Sequence, residues 1–131
     1  MHVTGKLARI VKYVRPNGRC PTKDFLDAID HKMRKRFYGQ FDALTKVGAT
    51  YVNNERFRPL HKAGKPLWEF KEHDHRLYCL RTVEPPDAVA IVLFSGWIKQ
   101  KSGKTEVEDR EIDHALLIYG EFMDEYKGGK I

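Results

Sequence analysis

The sequence predicts an α+β domain, with its elements in the order strand, helix pair, three strands, helix. Three observations predict it. Period-2 alternation and a wholly apolar run are gathered in one block between residues 67 and 94. Helical periodicity lies on either side of that block, over 21–48 and 105–126. Strand and helix signals are therefore segregated along the chain, which is the pattern of α+β domains and not of alternating βαβ units. The length, 131 residues, fits one domain spanning 1–131. A chain of this size can bury a core without disulfide or metal staples.

Taken in order, residues 6–14 alternate weakly and read as a first strand, ended by the turn Arg15-Pro16-Asn17-Gly18. Pro21 suits the first turn of a helix, where its missing N–H costs nothing. Phe25, Leu26, Ile29 and Met33, then Phe37, Phe41, Leu44 and Val47, recur at helical spacing, and Gly48 is placed to cap the run. The basic stretch His31 to Arg36 is either the joint between two helices or the polar face of one bent helix. Residues 53–65 are rich in Asn, Pro and Gly and read as a loop. Leu67 to Lys71 alternates, with Trp68 and Phe70 on one face and Leu67, Glu69 and Lys71 on the other. His73 and Asp74 mark a tight connection to a strand from Arg76 to Val83, which Pro85-Pro86-Asp87 closes. Ala88 to Phe94 is apolar throughout, as expected of a central strand covered on both faces. Thr105 and Glu108 have capping-box spacing, and Ile112, Ala115, Leu116, Tyr119, Phe122, Met123 and Tyr126 line one stripe of the helix that follows. Trp68, Phe70, Leu77, Cys79, Ile91 and Leu93 are expected to be buried beneath Phe25, Leu26, Ile29, Phe41 and Leu44.

The formal charge is +6, from 24 Lys and Arg against 18 Asp and Glu. That balance favours a polyanionic partner such as RNA, DNA or an acidic protein. The two cysteines, Cys20 and Cys79, lack metal or redox spacing, and no secretory pattern precedes them. The longest apolar run is too short to span a bilayer. A cytoplasmic, reducing setting without membrane contact is expected.

Cations recur at strand positions and strand ends: Lys71, Arg76, Arg81, Lys99, Lys101 and Lys104. A rigid sheet could aim them at phosphate. The lysine loop after the apolar strand lacks the glycine-rich turn of a phosphate-binding P-loop, and charge runs of this kind are often solvated surface. Trp97 beside the lysines could stack on a base, or simply close the edge of the core. His73-Asp74-His75 could place two imidazoles on one ion, but no third ligand is evident, so a solvated turn is the preferred reading. Ser95-Gly96 follows a strand yet lacks the G-x-S-x-G elbow. The acidic pairs Glu108-Asp109 and Asp124-Glu125 lie on the last helix and give no support to glycosidase chemistry.

Six segments, in order, resemble the RelE/ParE toxin superfamily, specifically its HigB-like, phage-derived branch. Pro21 to Leu26 (PTKDFL) is similar to the start of the family's first helix, and Leu44 to Gly48 (LTKVG) to the end of its second. Pro59-Leu60 followed by LWEFK resembles its "PL…LYELR" strand, and Arg76-Leu77-Tyr78 its Tyr-Arg-hydrophobic-Tyr strand. IVLFSGWIKQKSGKT resembles "VVLLHGFVKKTQKTP", and Glu111-Ile112-x-x-Ala115 the closing "EIERA" helix.

The resemblance implies a RelE-like fold, a small curved mainly antiparallel sheet with a two-helix hairpin packed on one face and a C-terminal helix. It also implies a concave basic face that enters the ribosomal A site and cuts mRNA, under the control of a cognate antitoxin, often a helix-turn-helix, HigA-like protein. Carried over by position, it implies Lys71, Arg76 and Lys99 as catalytic and Lys101 and Lys104 as RNA-binding. Tyr78, which shares the Arg76 face, Trp97 beside the lysines, and Arg81 among the strand cations are taken as further RNA-binding residues. No metal and no cofactor is implied. In such a reaction the RNA's own 2′-hydroxyl attacks the adjacent phosphate. Fixed Lys and Arg side chains would stabilise the added negative charge, and one could pass a proton. The sequence departs from the pattern at Ser95, where many members carry His, at Glu106, where the loop usually has Pro, and at Gln100, which interrupts a lysine pair. The alternatives are a ParE-like gyrase poison that cuts no RNA, and a catalytically dead module that only binds an antitoxin.

Overall fold

The computed structural model describes residues 2–4, 7–51, 55–60, 66–84, 88–100 and 105–126, the side chains of 2–4 excepted. In chain order the elements are β1 (His2–Thr4), β2 (Ala8–Lys12), α1 (Pro21–Ala28), α2 (His31–Val47), a 3-10 turn (Gly48–Thr50), β3 (Phe57–Pro59), β4 (Trp68–Glu72), β5 (His75–Glu84), β6 (Ala88–Ile98) and α3 (Thr105–Glu125). The strands form one six-stranded sheet in the order β1-β2-β6-β5-β4-β3. Only β2 and β6 run parallel; every other pair is antiparallel. The protein is thus α+β, with a mixed sheet and three helices.

Two cores lie on opposite faces of the sheet. Leu26, Ile29, Phe37, Phe41 and Leu44 of the helix hairpin cover Ile10, Phe70, Leu77, Cys79, Ile91 and Leu93. Phe25 and Trp68 pack at the margin of that core, half-buried. On the other face Ile112, Ala115, Ile118 and Phe122 of α3 cover Tyr13, Tyr78, Val92 and Phe94. Each such large side chain contributes about 1.5–3 kcal/mol on burial. The apolar run of β6 is explained by its place: it is central and feeds both cores. The helix stripe holds in part: Ile112, Ala115 and Phe122 are buried and Leu116 and Tyr119 half-buried, but Met123 and Tyr126 are exposed, and Ile118, outside the expected stripe, is buried. α3 covers the sheet face opposite the helix hairpin. Near the β4–β5 turn the same face carries Lys71, Trp97 and Lys99, each half-buried.

Three local readings change. The stretch His31 to Arg36 is no joint; it is the first turns of α2. The break falls at Ile29-Asp30, where the Asp30 carboxylate accepts from the Met33 N–H at 2.9 Å and caps the new helix. Arg34 then closes the end of α1, donating to the carbonyls of Leu26 at 2.7 Å and Ile29 at 3.2 Å. Within the stretch read as loop, Phe57–Pro59 pairs with β4, and Phe57 stacks on Phe70 with ring centroids 4.3 Å apart. Three residues are too few to show alternation. Finally, Tyr78 faces Ser95 while Cys79 faces Leu93, so Phe94 is an extra residue in β6, a β-bulge. The glycine cap is as expected: Gly48 ends α2 at φ 74°, and its N–H reaches the Leu44 carbonyl.

Candidate functional site

Strand register places two rows of polar residues side by side on the α3 face. One row runs Arg58, Glu69, Tyr78, Ser95 across β3, β4, β5 and β6. The other runs Lys71, Arg76, Trp97 across β4, β5 and β6. Directly opposed residues on an antiparallel pair hold their Cβ atoms about 5 Å apart, so Lys71, Arg76 and Trp97 form one continuous strip. Lys99 joins it from the end of β6. Its N–H donates to the Asp74 carbonyl at 2.7 Å, and its ammonium lies 3.3 Å from Glu108 on α3.

The strip is less free than the sequence implies. Arg76 is only 8 % exposed. Its Nη1 donates to the carbonyls of His73 at 2.6 Å and His75 at 3.1 Å, and its Nε lies 3.9 Å from Glu69. Its guanidinium clamps its own hairpin turn, so it is not an open fork for phosphate. Lys71 is half-buried, and its ammonium has no partner among the described residues. It is the cation of the strip most available to a ligand.

Tyr78 does not reach a ligand either. It is fully buried, and its hydroxyl accepts from Trp97 Nε1 at 2.8 Å. Burial pushes the phenol well above its ordinary value, so Tyr78 stays neutral and positions the half-exposed indole of Trp97. Arg81 is on the wrong face. Residues 79 and 81 share the side covered by α2, and Arg81 donates from Nη2 to the Ala49 carbonyl at 2.6 Å, with its guanidinium 4.5 Å from the Trp68 ring centre. Burial lowers its pKa. Arg81 fastens the 3-10 turn to the sheet and is no ligand for RNA bound at the strip. Lys101 and Lys104 lie outside the described residues. Ser95 is buried, and its hydroxyl has no hydrogen-bond partner among the described residues.

The site contains a residue that sequence reasoning left aside. Glu69 is buried, and its carboxylate receives the Arg58 Nε at 3.0 Å. It lies between Arg58 and Arg76 on the face of the strip, and it was legible as the residue two before Lys71 on the same face. Arg58 was hidden by the loop composition around it. The His-Asp-His triplet separates: His73, at φ 53°, and Asp74 form the exposed turn, while His75 is buried against Phe25 and Phe37 on the opposite face. Among the described residues no group of three or more His, Cys, Asp or Glu is arranged to hold a metal ion, and no helix is long and apolar enough to cross a membrane.

No known protein-family profile matches the chain, and no curated protein is significantly similar to it.

Proposed function

We propose that this chain is a RelE/ParE-type toxin of the HigB-like branch, a metal-independent endoribonuclease that cuts mRNA on the ribosome and is silenced by a cognate antitoxin. The observation that carries the reading is the strip Lys71–Arg76–Trp97 with Lys99 at its end: cations and one aromatic face, mounted on a rigid sheet. In this reading Lys71 neutralises the charge added at the scissile phosphate. Trp97, held by Tyr78, stacks on a neighbouring base. Glu69, the carboxylate on the face of Lys71, receives the 2′-hydroxyl proton, directly or through water, as the 2′-oxygen bonds to phosphorus; the P–O5′ bond breaks and the departing 5′-oxygen takes a proton from water. Arg76 shapes the turn that carries the strip.

A second reading has its own support. Arg76 and Lys99 are engaged within the protein, Tyr78 is buried, and Ser95 stands where many members of the family have His. These favour a protein that binds an antitoxin-like partner without cutting RNA. The test is to add purified protein to translating ribosomes and map mRNA ends, with Lys71→Ala in parallel. Cleavage that Lys71→Ala reduces by about two to three decades supports the enzyme, in line with the loss of one preorganised transition-state contact. Partner binding with no cleavage supports the binding module. Growth arrest with intact mRNA points instead to a gyrase poison.

A further inference from the structure

Beneath the sheet, α2 carries a charge cluster that the candidate site does not use. Its first ten residues, His31 to Gln40, include Lys32, Arg34, Lys35 and Arg36 and no acidic side chain. Arg34 is engaged by the carbonyls of Leu26 and Ile29. Lys32 and Lys35 are exposed and Arg36 is half-buried, and none of the three has a side-chain partner among the described residues. At spacings of three and four they share one patch of the helix surface.

The placement is unfavourable for the helix itself. Cations belong near a helix C-terminus, and the N-terminus repels them. The far end of α2 obeys the rule: Lys46 lies in the last turn and pairs with Asp42 at 3.0 Å. At the near end Lys32 lies in the first turn against that rule, and Lys35 and Arg36 follow in the second, with no side-chain partner among the described residues. Like charges gathered on one helix face create a local field that an anion can neutralise.

We infer that the Lys32–Lys35–Arg36 surface binds the phosphate backbone of a structured RNA, on the side of the sheet opposite the Lys71–Arg76–Trp97 strip. Residues 32 to 36 rise about 6 Å along the helix. A nucleic-acid duplex presents roughly three to four phosphates over that length. Firm seating on a membrane surface or a protein partner is helped by apolar residues among the cations. The large exposed apolar residue of α2 is Val47, at the other end of the helix. Gly39, one turn beyond the cluster, leaves open space for a backbone to approach. The inference rests on the RNA reading of the strip and extends it. A strand lying in the strip cannot also touch α2, because the sheet stands between them. The two surfaces would engage different RNA segments: a single strand at the strip and a folded one at α2.

The test uses the full chain and a labelled RNA duplex, with affinity measured by anisotropy between low and moderate salt. In the Lys32→Gln/Lys35→Gln/Arg36→Gln variant, the slope of log affinity against log salt should fall by about two to three, and affinity at low salt by about tenfold or more. The variant should melt no lower than the parent, which keeps misfolding from imitating the effect. Lys46→Gln, which removes a paired cation of the same helix, should leave the slope unchanged. An unchanged slope in the triple variant overturns the inference. So does an equal loss in Lys46→Gln, or a loss confined to vesicles of anionic phospholipid. If the parent binds duplex through α2 yet cuts no mRNA, the surface stands and the nuclease reading fails. If mRNA is cut and the triple variant binds duplex normally, the surface alone fails.

Discussion

Replacing Arg76 by Ala should cost stability first and activity second. The side chain is nearly buried and donates from one nitrogen to two carbonyls of the β4–β5 turn, with the Glu69 carboxylate 3.9 Å from Nε. A net hydrogen bond from a charged donor is worth about 1.5–3 kcal/mol. The His73 carbonyl lies in an exposed turn and can be rehydrated, whereas that of His75 lies in a strand. Glu69 keeps Arg58 at 3.0 Å, so removing Arg76 does not leave its carboxylate unpaired. Together these give a loss of about 2–4 kcal/mol, a large part of the roughly 6–20 kcal/mol expected for a domain of this length. The melting temperature should fall by about 3–5 °C for each kcal/mol. Urea denaturation measures the loss, and mRNA cleavage on translating ribosomes, normalised to folded protein, measures what remains. On that scale Lys71→Ala should be the more damaging of the two, because its ammonium is unengaged. An Arg76→Ala protein with stability within about 0.5 kcal/mol of the parent and no cleavage would refute this reasoning. It would restore Arg76 as a ligand for the reacting phosphate.

Three further outcomes follow from particular contacts. Gly96 lies beneath Phe25, so a methyl group at that position would meet the ring itself; Gly96→Ala should cost about 1–3 kcal/mol by overpacking, and an unchanged urea midpoint would show that Phe25 swings aside freely. Burial holds the Cys79 thiol well above its ordinary pKa, whereas Cys20 is half-exposed; one thiol should react with a disulfide reagent in the native protein and two after unfolding, and fast native reaction of both would contradict the packing. Arg15 holds Glu121 through two hydrogen bonds of 2.7 and 3.0 Å, and that bonding draws the carboxyl below its ordinary range. Its contribution, about 1 kcal/mol, is therefore complete above the unfolded value near 4.3 and disappears as pH falls through the lower folded value. Glu121→Gln should melt below the parent at pH 7 and with it near pH 3, and a gap that persists in acid would rule out this ion pair as its source.

The fold was legible wherever a segment was long enough to show its period. The alternation of Trp68 and Phe70 against Glu69 and Lys71 emerges as written, whereas the stripe along α3 holds at Ile112, Ala115 and Phe122, loses Met123 and Tyr126 to solvent, and gains Ile118. Phe57–Pro59 was not legible because three residues carry no period, and Asp30 was missed because a cap is one residue amid a continuing apolar rhythm. The site was half legible. Periodicity put Lys71 on the face away from Trp68 and Phe70, and the family resemblance singled out Arg76, but Trp97 was read only as a neighbour of the loop lysines. The resemblance could not say that the Arg76 guanidinium turns back onto its own hairpin, since that depends on where the His73 and His75 carbonyls point. Nor could it place Arg81. Strand alternation puts residue 81 on the opposite face from 76 and 78, and treating all the strand cations as one surface ignored that alternation.

The bulge in β6 is the point where fold and site depend on each other. Had the pairing of Cys79 with Leu93 continued in strict register, Arg76 would face Gly96 and His75 would face Trp97. The indole would then lie on the helix-hairpin side, against Phe25 and Phe37, and no aromatic face would stand beside Lys71 and Arg76. The extra residue at Phe94 shifts the register by one and exchanges the faces of everything after it, because side chains alternate with a period of two. Trp97 moves to the cationic strip, within reach of the Tyr78 hydroxyl. Ser95 moves with it to the α3 side, and residue 96 comes to lie directly under the Phe25 ring. Only a residue without a side chain fits there, which accounts for Gly96. The short sequence Phe94-Ser95-Gly96-Trp97 is therefore a single device. One residue too many, one missing side chain and one indole together turn the end of a core strand into part of the candidate site.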